Sequence, residues 1–215
     1  MPTVKRPKRK AEPAALRAAP IQERAKQTRD RLLDIAGELL GEVGIERIST
    51  NMIAARAGVS PAALYRYFKD KYAVLEALGR RLMDRQNALL FAWLDEHKAG
   101  GLDALGAHTA ELLRRTAEIT DNEPGGVWIL RALRAVPQLS HVRVESHREV
   151  TDAMLEVYAP LLPKVNKRRL WQRLRMTVEY GYAIDEMLHE EDRIPREDVL
   201  REAAAMLSSV QLEDE

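Results

Sequence analysis

The chain of 215 residues contains no cysteine, which excludes disulfide frameworks, thiolate nucleophiles, cysteine zinc sites and iron–sulfur clusters. No apolar run approaches the roughly 18 residues of a membrane span, and residues 1–25 lack the apolar centre of a secretory signal. A soluble, cytoplasmic protein is expected. The five histidines, His97, His108, His141, His147 and His189, include no pair at the i, i+4 spacing through which one helix offers zinc two ligands. The nucleophile elbow, the phosphate loop and the dinucleotide glycine motif are missing as well. Neither an enzyme, a bound metal nor a cofactor is expected. Sustained period-two alternation is absent too, so no strand is predicted and the fold class is all-α.

What is present begins with a lopsided charge. Residues 1–71 hold 15 Lys+Arg against 8 Asp+Glu, whereas the other 144 residues hold 19 against 25, although the whole chain carries only +1. A basic leading part points to a polyanion, of which nucleic acid is the commonest, and a solvated charged tail is the alternative. Within it, Lys5, Arg6, Lys8, Arg9 and Lys10 alternate with Pro2, Pro7, Pro13 and Pro20. Residues 1–25 therefore read as a disordered basic arm, able to lie along phosphates or enter a minor groove.

From Lys26 the pattern takes on helix period. Leu32, Leu33, Ile35, Ala36, Leu39, Leu40 and Val43 recur three and four residues apart, and Gly44 is placed to stop the helix. Ser49 and Thr50 suit the start of a short helix over 51–57 that ends at Gly58. Pro61 suits the first turn of another over 61–68. Longer helices are predicted over 71–97, 102–120, 127–136, 138–158, 166–190 and 196–210, separated by Gly100-Gly101, Pro124-Gly125-Gly126, Pro137, Pro160 with Pro163, and Pro195. About nine helices result.

Two short helices joined by a tight turn containing Gly58 form a helix-turn-helix over 49–68. Ala54 is small where the second helix crosses, while Ile53, Ala57, Val59 and Leu64 fill the space between the two. The second helix is left free for a major groove. Ser60, Pro61, Ala62 and Ala63 would face base edges, and their small size favours hydroxyl hydrogen bonds and thymine-methyl contacts. Tyr65, Arg66, Tyr67, Lys69 and Lys71 would meet the flanking phosphates, as would Thr50 with Asn51 at the start of the first helix. The alternative is a small core hairpin whose tyrosines are ordinary core aromatics.

The segment from Thr28 to Leu78 resembles the N-terminal domain of the tetracycline-repressor-like (TetR) transcriptional regulators. The resemblance rests on Leu32-Leu33-Asp34-Ile35-Ala36, Gly44, the block Ile53-Ala54 with Ala57-Gly58-Val59-Ser60, the run Leu64-Tyr65-Arg66-Tyr67-Phe68, and Lys71 before Leu75. Family members often carry a glycine where Ala62 or Ala63 stands. The resemblance implies a DNA-binding domain over 26–78 and a larger effector-binding and dimerisation domain over 79–215. It also implies a homodimer whose last two helices pair across a two-fold axis. The stripes Leu170, Leu174, Val178, Gly181, Ile184, Leu188 and Val199, Ala203, Met206, Leu207, Val210 fit such an interface, or else pack within their own subunit.

A two-fold dimer implies a palindromic operator. The resemblance further implies a small-molecule cavity among the middle helices, with Trp93, His108, Leu112, Trp128, Arg131, His147, Thr151, Met176 and Tyr180 as candidate lining residues. These suggest a largely apolar ligand, with ordinary core packing as the alternative for each. The functional expectation is a repressor released by that ligand, found on the nucleoid when bound to DNA. The competing expectation is a DNA-bound adaptor or architectural protein that recruits a protein partner and needs no inducer.

Overall fold

The computed structural model describes residues 15–208, with side chains from residue 22. Its first helix, α1 (Ala15–Arg47), is interrupted at Gly44, whose φ of 76° is a conformation open to glycine at little cost. Three polar caps then place three helices. Ser49 accepts from the Met52 N–H at the start of α2 (Thr50–Ala57), Ser60 accepts from Ala63 at the start of α3 (Pro61–Tyr65), and Asp70 accepts from Ala73 at the start of α4 (Lys71–His97). Each cap satisfies an N–H that has no partner inside its helix.

The remaining helices are α5 (Gly101–Ala107), α6 (Thr109–Asn122), α7 (Gly126–Ala135), α8 (Ser140–Leu161), α9 (Lys167–Met187) and α10 (Arg196–Ser208), with 3-10 turns at Lys98–Gly100 and Pro137–Leu139. No strand occurs among the described residues, so the fold is all-α as expected.

Several boundaries differ from the expectation. Residues 15–25, assigned above to a disordered arm, form the first turns of α1. Their Ala, Arg, Glu and Gln content favours helix, and extending an existing helix requires no new nucleus. Residues 1–14 of the arm lie outside the described residues. The expected helix over 102–120 is two helices, because the chain leaves α-geometry at His108 (φ −101°, ψ 7°). There the His108 ring bonds the Ala104 carbonyl at 2.8 Å, and the His108 carbonyl accepts from Trp93. α3 stops at Tyr65 instead of Phe68, and α8 continues through Pro160 to Leu161.

One apolar core runs from the helix-turn-helix into the body. It joins Leu33, Leu40, Ile53 and Leu64 to Leu78, Ile129 and Leu133 without interruption. A second core lies between the far half of α4, α5, α8 and α9, and a third, smaller one between α6 and α10. Residue 78, the expected domain boundary, falls inside the unbroken α4.

The two parts are locked where α1 meets the turn between α6 and α7. A Cβ on Gly37 would stand 2.1 Å from the Pro124 carbonyl oxygen, and one on Gly125 would stand 2.2 Å from the Gly37 oxygen. Beside this contact the fully buried carboxylate of Glu123 pairs with Arg81 and Arg85, and Arg81 reaches on to Asp34 of α1 at 2.7 Å. Gly37→Ala is expected to destabilise the protein by about 1–3 kcal/mol through overpacking. Gly41→Ala, one turn on, meets only ordinary contact at 3.8 Å and should be neutral or stabilising by up to about 1 kcal/mol. Thermal melts of both variants check this pair, and equal effects would contradict the close approach at Gly37.

A candidate nucleic-acid interface and an internal cavity

The helix-turn-helix holds its shape through a small buried set, Ile53, Ala54, Ala57 and Leu64, each at most 4% exposed. Gly58 turns the chain at φ 67°, and the Val59 N–H closes onto the Ala54 carbonyl at 3.0 Å. Every large apolar group of the motif except Tyr65 is thereby directed inward, and the outer face of α3 is small and polar.

Ser60, Pro61, Ala62, Tyr65, Arg66 and Lys69 are exposed, as is Asn51 on α2. Ala63 is half-buried. The Thr50 and Tyr65 hydroxyls lie 3.1 Å apart, which ties the start of α2 to the end of α3 and sets two hydroxyls side by side on the surface. Such a face can donate to phosphate oxygens while α3 lies against base edges. Two expected phosphate contacts are placed differently. Tyr67 is half-buried against the core, and the Lys71 ammonium bonds the Ile45 and Glu46 carbonyls at 3.3 and 3.4 Å, capping the end of α1.

The body encloses a cavity of about 640 Å³ that follows one face of α9 from Leu170 to Leu188. Apolar side chains dominate its wall. Trp93 and Leu112 are the expected lining residues found there, and Tyr158 adds a hydroxyl that burial pushes up to about 12, so it remains a neutral donor.

The other expected lining residues lie elsewhere. Trp128 is partly exposed, with Arg131 over its ring at 5.0 Å and its edge near Gly41 and Gly44, and Arg131 pairs with Glu190. Met176 and Tyr180 are 51% and 55% exposed on the outer face of α9. His108 stacks on His97 with centroids 4.0 Å apart. Together with Glu111 these imidazoles bring three donor atoms within 4.8 Å of one another, but rings tilted by only 11° direct their lone pairs side by side instead of toward a common point.

His147 is fully buried, stacked on Tyr182 at 4.2 Å, and bonds Glu179 at 3.1 Å; Thr151 donates to its carbonyl. Burial pushes the His147 imidazole down to about 4 against the opposing pull of Glu179. Burial also raises the Glu179 carboxyl, but the hydrogen bond from Arg175 and the charges of Arg143 and His147 outweigh it and hold it below the ordinary carboxylate value.

The expected dimer stripe of α9 faces its own subunit. Leu170, Leu174 and Val178 pack into the second core, while Ile184 and Leu188 pack against the third; Gly181 approaches Leu113 and lines the cavity. Val199 and Ala203 are buried in α10, and Leu207 is half-buried there. Met206 alone of that stripe is strongly exposed, and Val210 lies outside the described residues. Periodicity identified these faces as apolar without specifying what covers them. The outward face of α9 instead carries Met176, Tyr180, Ala183 and Met187, spaced by four, three and four residues.

A helix-turn-helix set on a larger helical body with a cavity is the architecture of a DNA-binding regulatory protein. Residues 32–78 match the model of the bacterial regulatory proteins of the tetR family, so this N-terminal domain is of that family's type. The nucleoid occlusion factor SlmA of Pasteurella multocida (strain Pm70) is 41% identical over 73 residues, which are 34% of this chain and 35% of that protein. The chain thus matches about a third of that curated relative's length. A TetR-family transcriptional regulator from Streptomyces coelicolor shares the fold, with a TM-score of 0.58 and 22% identity over 84% of this chain and 95% of that one. So does the fatty acid degradation regulator FadR from Bacillus halodurans, with a TM-score of 0.59 and 17% identity over 87% and 97% of the two chains.

Because folded His147 resists protonation, stability present above about pH 6.5 should fall as pH drops toward 4, by up to about 3 kcal/mol for a shift of this size. Thermal melts across that range should slope downward on acidification, and His147→Gln should flatten the slope. An unchanged slope in the variant would assign the acid sensitivity to other groups.

Proposed function

We propose that the protein is a homodimeric repressor that binds a palindromic operator in double-stranded DNA and leaves it when a small, largely apolar molecule occupies the cavity. The observation that carries this reading is α4. Its first turn supports the helix-turn-helix, with Lys71 on the end of α1, and its far half supplies Gln86, Leu90 and Trp93 to the cavity wall. From residue 71 to 93 the rod is about 33 Å long at helical rise. A ligand that shifts one end displaces the other, and release requires only that it bind the DNA-incompetent arrangement more tightly.

On this reading Ser60, Pro61, Ala62 and Ala63 meet base edges, while Thr50, Asn51, Tyr65, Arg66 and Lys69 meet phosphates; Tyr67 and Lys71 support the motif from behind. The second subunit pairs through the outward face of α9, where Met176, Tyr180 and Met187 offer apolar area, together with the exposed edge of α10. Such a protein works in the cytoplasm, on the nucleoid when DNA-bound. The identity to a nucleoid occlusion factor favours a second reading, a DNA-bound adaptor with a protein partner and no inducer. That identity covers 73 residues of this chain, so it speaks for DNA binding more than for the body.

Genome-wide mapping of bound sites, followed by gel shifts on the strongest site, separates the readings. A palindrome at one or a few promoters, released by small apolar molecules, supports the repressor; many scattered sites that no small molecule releases support the adaptor. Tyr65→Ala should weaken binding to all sequences by about tenfold, as for loss of a hydrogen bond to a charged group, whereas Ala62→Gln should change base preference. Sequence-selective loss in Tyr65→Ala would contradict its placement on phosphate. In sedimentation, Met176→Glu with Tyr180→Glu should convert dimer to monomer without unfolding, and a persistent dimer would place the interface elsewhere.

A further inference from the structure

The cavity wall is mainly apolar, with hydroxyls such as Thr116, Tyr158 and Thr177 along it and Arg173 toward one end, and a buried carboxylate and amide stand together toward the other. Asp185 of α9 and Gln86 of α4 are 3% and 2% exposed, and both line the cavity. The Asp185 carboxylate accepts through Oδ2 from the Thr120 hydroxyl at 2.7 Å and from the Gln86 amide nitrogen at 3.3 Å. Gln86 spends its remaining donor on Thr120 at 3.0 Å. Asp185 Oδ1 and Gln86 Oε1 then remain buried with no hydrogen-bond donor. His189 Nε2 stands 3.8 Å from Oδ1, beyond hydrogen-bond reach, and lies nearer Asp121 at 3.5 Å.

A buried carboxylate hydrogen-bonded only to a hydroxyl and an amide, with the His189 ring at ion-pair distance but outside hydrogen-bond reach, still lacks a donor on Oδ1. Here the unmet demand is for donors and positive charge, at the edge of a space large enough for a ligand. A carboxylate placed at this end would meet two acceptors and a like charge. The basic lining residue Arg173 lies 12 positions earlier on α9, about 18 Å away along the helix.

We propose that the molecule this cavity selects is an amphiphilic amine, its protonated nitrogen held by Asp185 and Gln86 and its apolar body lying along α9 past Val178 and Leu174. This rests on the reading above that the cavity takes a small-molecule ligand, and it names the head group that reading leaves open. It requires no covalent step. The ammonium donates to Asp185 Oδ1 and Gln86 Oε1, and the pairing is strong because both acceptors belong to buried side chains.

The test is calorimetric titration of the full-length protein with decylamine, decanol and decanoate, which share one apolar chain and differ in head group. Decylamine is expected to bind at least tenfold more tightly than the other two, a difference of about 1.4 kcal/mol. Asp185→Asn is expected to erase that preference while leaving decanol affinity within about twofold. Equal affinity of the three for the wild-type protein, or tightest binding of decanoate, overturns the cationic head but leaves a ligand cavity. Binding by none of them overturns the proposal together with the reading on which it rests. The head-group comparison on the wild-type protein stands even if Asp185→Asn fails to fold.

Discussion

The arrangement depends on one close backbone approach. α1 crosses the turn between α6 and α7 so tightly that Gly37 and Gly125 leave no room for a Cβ on either side. Glu123, in the same turn, is buried without solvent contact and is made tolerable by Arg81 and Arg85 from α4. Because Arg81 also holds Asp34, three helices from two parts of the chain meet around one carboxylate. Packed contacts of this kind have few alternative arrangements, so movement of α4 is passed to α1 instead of being absorbed between them.

The same joint explains how an apolar cavity and a small polar surface belong to one machine. α4 shares its near half with the helix-turn-helix core and its far half with the cavity wall. The ligand end is soft, since a cavity of about 640 Å³ removes packing partners from α6, α8 and α9. The DNA end is stiff, fixed by three side-chain caps and a glycine turn. On the proposed function, strain introduced by a ligand at the soft end would emerge as rotation of the stiff one. A coupling free energy of about 1–3 kcal/mol is the range in which such links operate.

How much of this was legible depends on whether the signal was local. Ser49, Gly58, Ser60-Pro61 and Asp70 act within four residues of their own position, and α2 and α4 fall within a residue of where the sequence places them. The break at His108 is preceded only by Gly106, a single helix-weakening residue inside an otherwise continuous helical pattern, and its carbonyl accepts from Trp93, fifteen residues earlier, a contact that no local signal announces. The stripe from Leu170 to Leu188 is apolar as its period predicts and packs within its own subunit, the second of the two partners the sequence allows, because period alone cannot distinguish a subunit's own core from its neighbour's surface. Trp93 and Leu112 line the cavity, whereas Trp128, Met176 and Tyr180, equally large and largely apolar, face outward. Gln86, Thr120 and Asp185, from three helices, carry no common motif and become a site only in the fold.

The absence of cysteine makes the most direct measurement of the central claim straightforward. A single Cys introduced at exposed Ala55 on α2 accepts one nitroxide label per subunit. Dipolar spectroscopy of the labelled protein on its strongest DNA site should give one narrow inter-label distance, compatible with recognition helices about 34–36 Å apart or a multiple of that. The distance should broaden or shift when a ligand releases the DNA. No dipolar coupling on DNA, or a distance indifferent to release, would contradict a dimer whose spacing is the switch.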